Sequence, residues 1–154
     1  MDVSPLNRWR SPIEHVTNME VCVVEADWTV RAIRGATTVP ENTAEAIREA
    51  VAELLDELER HNSFEPEQIV SVTFSVTPDL DALFPASVAR QRPRWDNVPL
   101  LDVQHMSVKG DLERCVRFLI HVNLPPNTEL SHPYLRQAQQ LRPDWSLSSS
   151  VGSS

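Results

Sequence analysis

The chain has 154 residues, with 22 acidic residues against 14 Lys and Arg, for a formal net charge of -8 at pH 7. That length suits one domain, and 41% hydrophobic with 23% charged residues is ordinary globular composition. The acidic balance argues against a nucleic-acid partner, and no apolar run approaches the ~20 residues that span a bilayer.

The first residues carry no apolar leader, which points to the cytoplasm. Residues 1–27 mix Pro5, Arg8, Arg10 and Pro12 with scattered polar residues. They read as an extension, flexible unless it docks, with Met19 as a second possible start. A structured domain is expected over 28–145. It opens with a short strand in which Trp28, Val30 and Ala32 alternate with Thr29, Arg31 and Ile33, running into a backbone bend at Arg34 and Gly35. Asn42 followed by Glu45 has the spacing of a helix N-cap. Behind it Ile47, Val51, Leu54 and Leu58, widened by Ala50 and Leu55, make a helical stripe that ends near His61 and Asn62.

Val70, Val72, Phe74 and Val76 then alternate with Ser71, Thr73 and Ser75 as a half-buried strand closed by Pro78. Pro85 opens a short helix carrying Ser87 and Arg90. Residues 98–103 form a fourth apolar element broken only by Pro99, and Gly110 marks a turn. The longest strand candidate is 115–123, with Val116, Phe118, Ile120 and Val122 on one face and Cys115, Arg117, Leu119 and His121 on the other. Ser131 caps a last short helix containing Tyr134, which Pro143 ends. The Ser-rich stretch 146–154 is a flexible tail. Strands and helices alternate, so the fold class is α+β, an α/β-type mixed sheet with helices.

No nucleophile elbow, P-loop, GxGxxG or HExxH is present, and three glycines cannot build a Gly-rich phosphate loop. Cys22 and Cys115 lie in no CxxC pair. The five histidines show no metal-ligand spacing, and His121 reads as a satisfied strand histidine before it reads as a zinc ligand beside Cys115. The arginines stand out instead. Arg34 lies at a strand end, Arg117 mid-strand among Val116, Phe118 and Leu119, and Arg142 just before Pro143. A guanidinium in an apolar strand needs an anionic partner, because an unpaired buried charge is very costly. By spacing alone an internal salt bridge is the commoner outcome. The functional reading is a pocket for a ligand bearing carboxylates, which arginine forks match.

The stretches IRGATTV (33–39), SVTPDLDALFPASVAR (75–90), VPLLDVQHM (98–106), RCVRFLIHV (114–122), HPYL (132–135) and LRPD (141–144) occur in this order. Together they resemble the monofunctional, trimeric class of chorismate mutase, over about residues 29–145. The resemblance implies a trimeric pseudo-α/β barrel with active sites at subunit interfaces. It implies the intramolecular Claisen rearrangement of chorismate to prephenate, on the route to phenylalanine and tyrosine, with no cofactor and no metal. By position, Arg34 would bind a substrate carboxylate, Arg117 would face the ether oxygen, and Tyr134 would hydrogen-bond the enolpyruvyl carboxylate. Phe84, Ala86 and Arg90 would line the pocket from the neighbouring subunit, with Leu100, Leu101, Asp102 and His105 beside them and Leu141 and Arg142 covering it.

Two positions depart from the family. Ser87 stands where a lysine is usual, and His105 where the family's glutamate accepts a hydrogen bond from the substrate's ring hydroxyl. Asp102, three residues earlier, is expected to supply the displaced carboxylate and to hold Arg117. That requires a bend, since positions three apart in a straight strand face opposite ways. Otherwise Asp102 caps a turn and His105 faces solvent. Two alternatives to the isomerase remain: a non-catalytic homologue that binds chorismate or prephenate, or serves as a trimeric interaction module, and a different activity on the same architecture, such as the imine deaminases.

Overall fold

Four strands and two helices account for most of the computed structural model, which describes residues 27–145. Strand β1 spans Thr29–Thr38, helix α1 Ala44–His61, β2 Ile69–Val76, α2 Pro85–Arg90, β3 Leu100–Gln104 and β4 Cys115–Leu124. The sheet order is β1-β4-β2-β3, with β4 antiparallel to both neighbours and β2 parallel to β3. This is the mixed α+β sheet expected. Apart from Asp27, the extension 1–27 with Cys22 and Met19, and the tail 146–154, lie outside the described residues.

Register assigns every strand residue to a face. Ile33, Ile120, Val72 and Leu100 form one lateral row, and Gly35, Phe118, Phe74 and Asp102 the next but one on that same face. Helix α1 covers these rows with Ile47, Ala50, Val51, Leu54, Leu55 and Leu58, all fully buried. Each of the Ile, Val and Leu side chains contributes about 1.5–3 kcal/mol on burial. This stripe lies where the 3.6-residue period puts it. Beyond α2, Trp95 is buried and its indole Nε1–H donates to Glu59 Oε1 at 3.0 Å, tying the helix to the following loop.

Four local expectations need correction. No bend occurs at Arg34 and Gly35, because β1 continues to Thr38 in unbroken register with β4. Gly35 serves a close approach instead: a Cβ there would lie 2.4 Å from Phe118 Cζ and 2.9 Å from the Pro133 carbonyl oxygen. The N-cap of α1 is Thr43, whose hydroxyl accepts from Ala46 N–H at 3.2 Å. Asn42 is engaged elsewhere, donating to Asp81 Oδ1 at 2.7 Å and accepting from the amides of Asp81 and Ala82. Val70 is exposed rather than buried, because a bulge between Ile69 and Ser71 gives the inward place to Ile69.

The fourth correction concerns the C-terminal end. Tyr134 is in extended backbone, bridged to Ala36, and among the described residues the helical turn there is a 3-10 segment at Arg136–Leu141. Ser131 does not cap it; Asn62 grips the Ser131 amide and carbonyl at 2.9 Å each. His132 precedes Pro133, which disfavours the helical region for it. Instead Ala36 N–H donates to the Pro133 carbonyl and Leu135 N–H to the Ala36 carbonyl, both at 2.9 Å. The free edge of β1 is thereby paired with the C-terminal segment.

Candidate active site

Among the described residues no α-helix covers the second sheet face; only the 3-10 segment packs on its β1 side, at Ala36. Its rows are Ala36, Arg117, Ser75 and Val103, and, next to these, Arg34, Leu119, Thr73 and Leu101. Leu101 is 58% exposed, with Val103 and Leu119 each 38% exposed. Arg34 and Arg117 are diagonal neighbours across β1 and β4, a relation that sets backbones roughly 7–8 Å apart. Two expected cations therefore share one open surface.

Arg117 meets two side chains, Asp111 and Cys115. Its Nη2 donates to Asp111 at 3.1 and 3.3 Å, so the salt bridge that spacing favoured exists, with a loop aspartate. Burial pushes the Cys115 thiol up, opposed by a hydrogen bond from the Arg117 side chain and then by its charge. The β4 strand itself is positioned by TPDL: Thr77 Oγ1 accepts from Cys115 N–H, and Asp79 Oδ2 from Arg114 N–H, each at 2.9 Å. The Nε of Arg117 is buried and finds no hydrogen-bond partner among the described residues.

His105 is the second residue at this spot. Its backbone N–H donates to the Val76 carbonyl, and its Nδ1 lies 3.2 Å from Ser75 Oγ, directly across from Arg117. Burial and then the charge of Arg117 lower its pKa, against Asp111, the Ser75 backbone and Asp79, which raise it. Its Nε2 is buried and without a partner among the described residues, like Arg117 Nε. His105 is half-buried, with Nε2 shielded from solvent.

Asp102 does not lie beside Arg117 of its own chain, as the bend expected between 102 and 105 would have required. β3 pairs with β2 in unbroken parallel register to Gln104, and His105 N–H carries the pairing on to the Val76 carbonyl, so no bend separates 102 from 105. Asp102 continues the row of Phe74 and Phe118 on the helix-covered face, away from Arg117 of the same chain. Its Oδ1 accepts from Ala86 N–H at 2.9 Å, at the start of α2. Burial raises its pKa, opposed by that hydrogen bond and by the charge of Arg90. Leu100 packs against the core rather than the open face.

Asp102 belongs with a second cluster at the sheet edge. It lines a cleft of about 430 Å³ with Leu80, Leu83, Phe84, Pro85 and Val103. Phe84 is 70% exposed, Arg90 is exposed and Ala86 is buried. Ser87 donates its hydroxyl to the Phe84 carbonyl at 2.6 Å.

The C-terminal segment brings a third group onto the β1 side. Tyr134 is buried, which raises its pKa against the opposing charges of Arg34, Arg142 and Arg117, so its hydroxyl remains a donor at neutral pH. Arg34 N–H donates to His132 Nδ1 at 3.0 Å. The His132 ring stacks on Trp145 with centroids 4.2 Å apart, and burial followed by the charges of Arg142 and Arg34 lowers its pKa. The Arg142 guanidinium lies 3.3 Å from the Trp145 ring centroid and pairs with Asp144 at 2.8 Å. Leu141 packs on Ala36, Tyr134 and Ala138.

Asp111, Ser75 and Trp145 were not singled out from the sequence. Trp145 follows LRPD directly, whereas nothing in the sequence marks Asp111 beyond its place after Gly110. Among the described residues no group of histidines, cysteines and acids is placed to hold a metal ion, and no helix is long and apolar enough to cross a membrane. His121 meets Ser71 Oγ at 3.4 Å.

Comparison with known proteins gives a consistent set of relatives. A family model described as chorismate mutase type I matches residues 30–145. The chorismate mutase AroH of Bacillus subtilis is 40% identical over 119 residues, covering 77% of this chain and 94% of the relative. That of Thermus thermophilus is 44% identical over 117 residues, covering 75% and 95%. A solved chorismate mutase from Clostridium thermocellum aligns with a TM-score of 0.66 at 40% identity, covering 71% of this chain and 98% of that one.

Proposed function

The chain belongs to the chorismate mutase type I family, and from that premise we propose how its open sheet face carries out the family's reaction. The protein is an isomerase that converts chorismate to prephenate in aromatic amino acid biosynthesis. In that rearrangement the ether carbon–oxygen bond breaks as a carbon–carbon bond forms within the same molecule. No group leaves, and negative charge grows on the ether oxygen. Catalysis then consists of holding a near-attack conformer and meeting that charge with preorganised donors.

The observation that carries this mechanism is the unpartnered Nε of Arg117, buried on a face where Arg34 is its diagonal neighbour. Arg117 supplies a fixed, always protonated fork to the ether oxygen. Arg34 takes a substrate carboxylate, and the Tyr134 hydroxyl, still protonated, donates to the enolpyruvyl carboxylate. Leu141 and Arg142, anchored on Tyr134 and Trp145, cover the site.

The cluster of Phe84, Ala86, Arg90 and Asp102 sits across the sheet edge from this face. It completes the site of an adjoining subunit in a homotrimer. Exposed Leu101, Val103 and Leu119 on the open face, and Phe84 at its edge, support such assembly. A cytoplasmic location fits the place of the reaction in amino acid biosynthesis. The test is to follow chorismate loss and prephenate formation with purified protein. Saturable turnover is expected; binding without conversion favours the non-catalytic alternative.

A further inference from the structure

The resemblance implies a carboxylate opposite the arginine, yet the residue at that place here is a histidine, and Asp102 is turned away from Arg117 of its own chain. The carboxylate that does meet Arg117 comes from the loop between β3 and β4. Gly110 has φ of 86°, in the left-handed region that glycine tolerates without strain, and turns the chain so that Asp111 points back at β4. Leu112 N–H donates to Asp111 Oδ1 at 2.8 Å and fixes the carboxylate. Both Asp111 oxygens address the same guanidinium nitrogen, Nη2, at 3.1 and 3.3 Å. The Arg117 and Asp111 side chains are 29% and 25% exposed, so the pair is shielded more than a surface ion pair. Loading Nη2 leaves Nε–H as an unmatched buried donor, next to the unmatched Nε2 of His105.

We propose that Asp111 is the positioning residue for Arg117 in this chain, and that neutral His105 accepts the substrate's ring hydroxyl through Nε2. The proposal rests on the reading of the site as a chorismate mutase. The proposal requires the tautomer in which Nδ1–H donates to Ser75 Oγ, 3.2 Å away, so that Nε2 keeps its lone pair for the substrate. The charged and titratable groups facing the imidazole are Arg117 on β4, Asp111 in the loop, and Asp79 after β2. The family's single glutamate is thus replaced by two residues: one orients the arginine, the other takes the hydroxyl.

The experiment compares the parent with Asp111→Asn, His105→Leu, and the double variant Asp111→Asn with His105→Glu. Asp111→Asn is expected to lower kcat roughly tenfold or more with a smaller change in KM, since charged hydrogen bonds are the strong ones. The double variant, with a carboxylate back at position 105, regains most of that loss, which a purely structural role for Asp111 would not allow. If Asp111→Asn does not fold, His105→Leu carries the test: kcat falls while the thermal midpoint is kept. Unchanged kcat in either folded single variant overturns the proposal. Independently of turnover, the His105 imidazole followed by NMR titrates at lower pH in Asp111→Asn than in the parent. An unmoved titration places Asp111 away from the pair and also overturns it. A parent that converts no chorismate counts instead against the functional reading, and the titration still decides where Asp111 acts.

Discussion

The two faces of this sheet are made by the same strands and differ in what their side chains find. On the covered face Phe74, Phe118, Ile120 and Val72 meet the apolar stripe of α1, and every such side chain has its neighbours within the chain. On the open face, half a residue period away, Arg117 and His105 keep buried polar atoms with no partner among the described residues, while Leu101 and Leu119 stay exposed. One face is finished by folding; in the proposed assembly the other is finished by a ligand and a second subunit. Substitutions on the covered face should therefore act on stability, and those on the open face on turnover.

The largest expected effect is on the open face. Removing a preorganised transition-state donor costs roughly 10²–10³ in rate, so Arg117→Ala should lose that much kcat, with only a modest drop in thermal midpoint from the Asp111 carboxylate left unpaired. Arg117→Lys, lacking the planar fork, should recover only part. Steady-state kinetics with a melting curve checks both halves. A variant that melts far below the parent would erase the contrast between the faces.

The covered face is tested by Gly35→Ala. Its Cβ would press within 2.4 Å of the buried Phe118 ring, and overpacking of this kind costs about 1–3 kcal/mol. Chemical denaturation should show the loss, with kcat per folded molecule little altered. The Phe118 ring cannot retreat without disturbing Phe74, which it meets edge-on with centroids 6.4 Å apart.

A smaller effect follows from acid. The pKa of His105 is depressed, so its neutral form is favoured by folding. The associated stability is fully present above the ordinary histidine value of about 6.5 and is lost as pH falls below it toward the folded value. His132, also depressed, adds a contribution of the same sign. The rate should fall over the same acid window as a second positive charge develops beside Arg117. His105→Gln should flatten the pH–rate profile and only part of the stability profile.

The smallest effect belongs to Asp102. Its raised pKa reflects an ionised carboxylate that folding disfavours, so its unfavourable contribution is felt above the folded value and relieved in acid. Asp102→Asn keeps an oxygen for Ala86 N–H and should be as stable as the parent at neutral pH, or slightly more so. Its turnover should drop far less than that of Asp111→Asn. A collapse of activity with Asp102→Asn would mean that the edge cluster, not the loop, supplies the working carboxylate.

Long-period features were legible in the sequence, and features set by register were not. The α1 stripe at Ile47, Val51, Leu54 and Leu58 and the alternation of β4 are written in the residues themselves. The continuation of β1 through Gly35 depended on Phe118 and Pro133 arriving from distant segments. Asn42 reads as a cap until Asp81 competes for its amide. The site divides in the same way. Arg117 stood out as a charge in an apolar strand, and the quoted motifs carried Arg34, Tyr134 and Arg142. Whether Asp102 or His105 met Arg117 was decided by the β2–β3 register, and Asp111 by a backbone turn at Gly110.

The central claim, that the open face is completed by another copy of the chain, is tested most directly by mixing two inactive variants. Arg117→Ala spoils the open face and Arg90→Ala the edge cluster. In a randomly reassembled equimolar mixture of a cyclic trimer, about a quarter of the sites would draw both wild-type halves from different subunits. The account predicts recovery of activity toward that fraction of the parent's. A mixture no more active than its separate components, or a fully active monomer in ultracentrifugation, would contradict it.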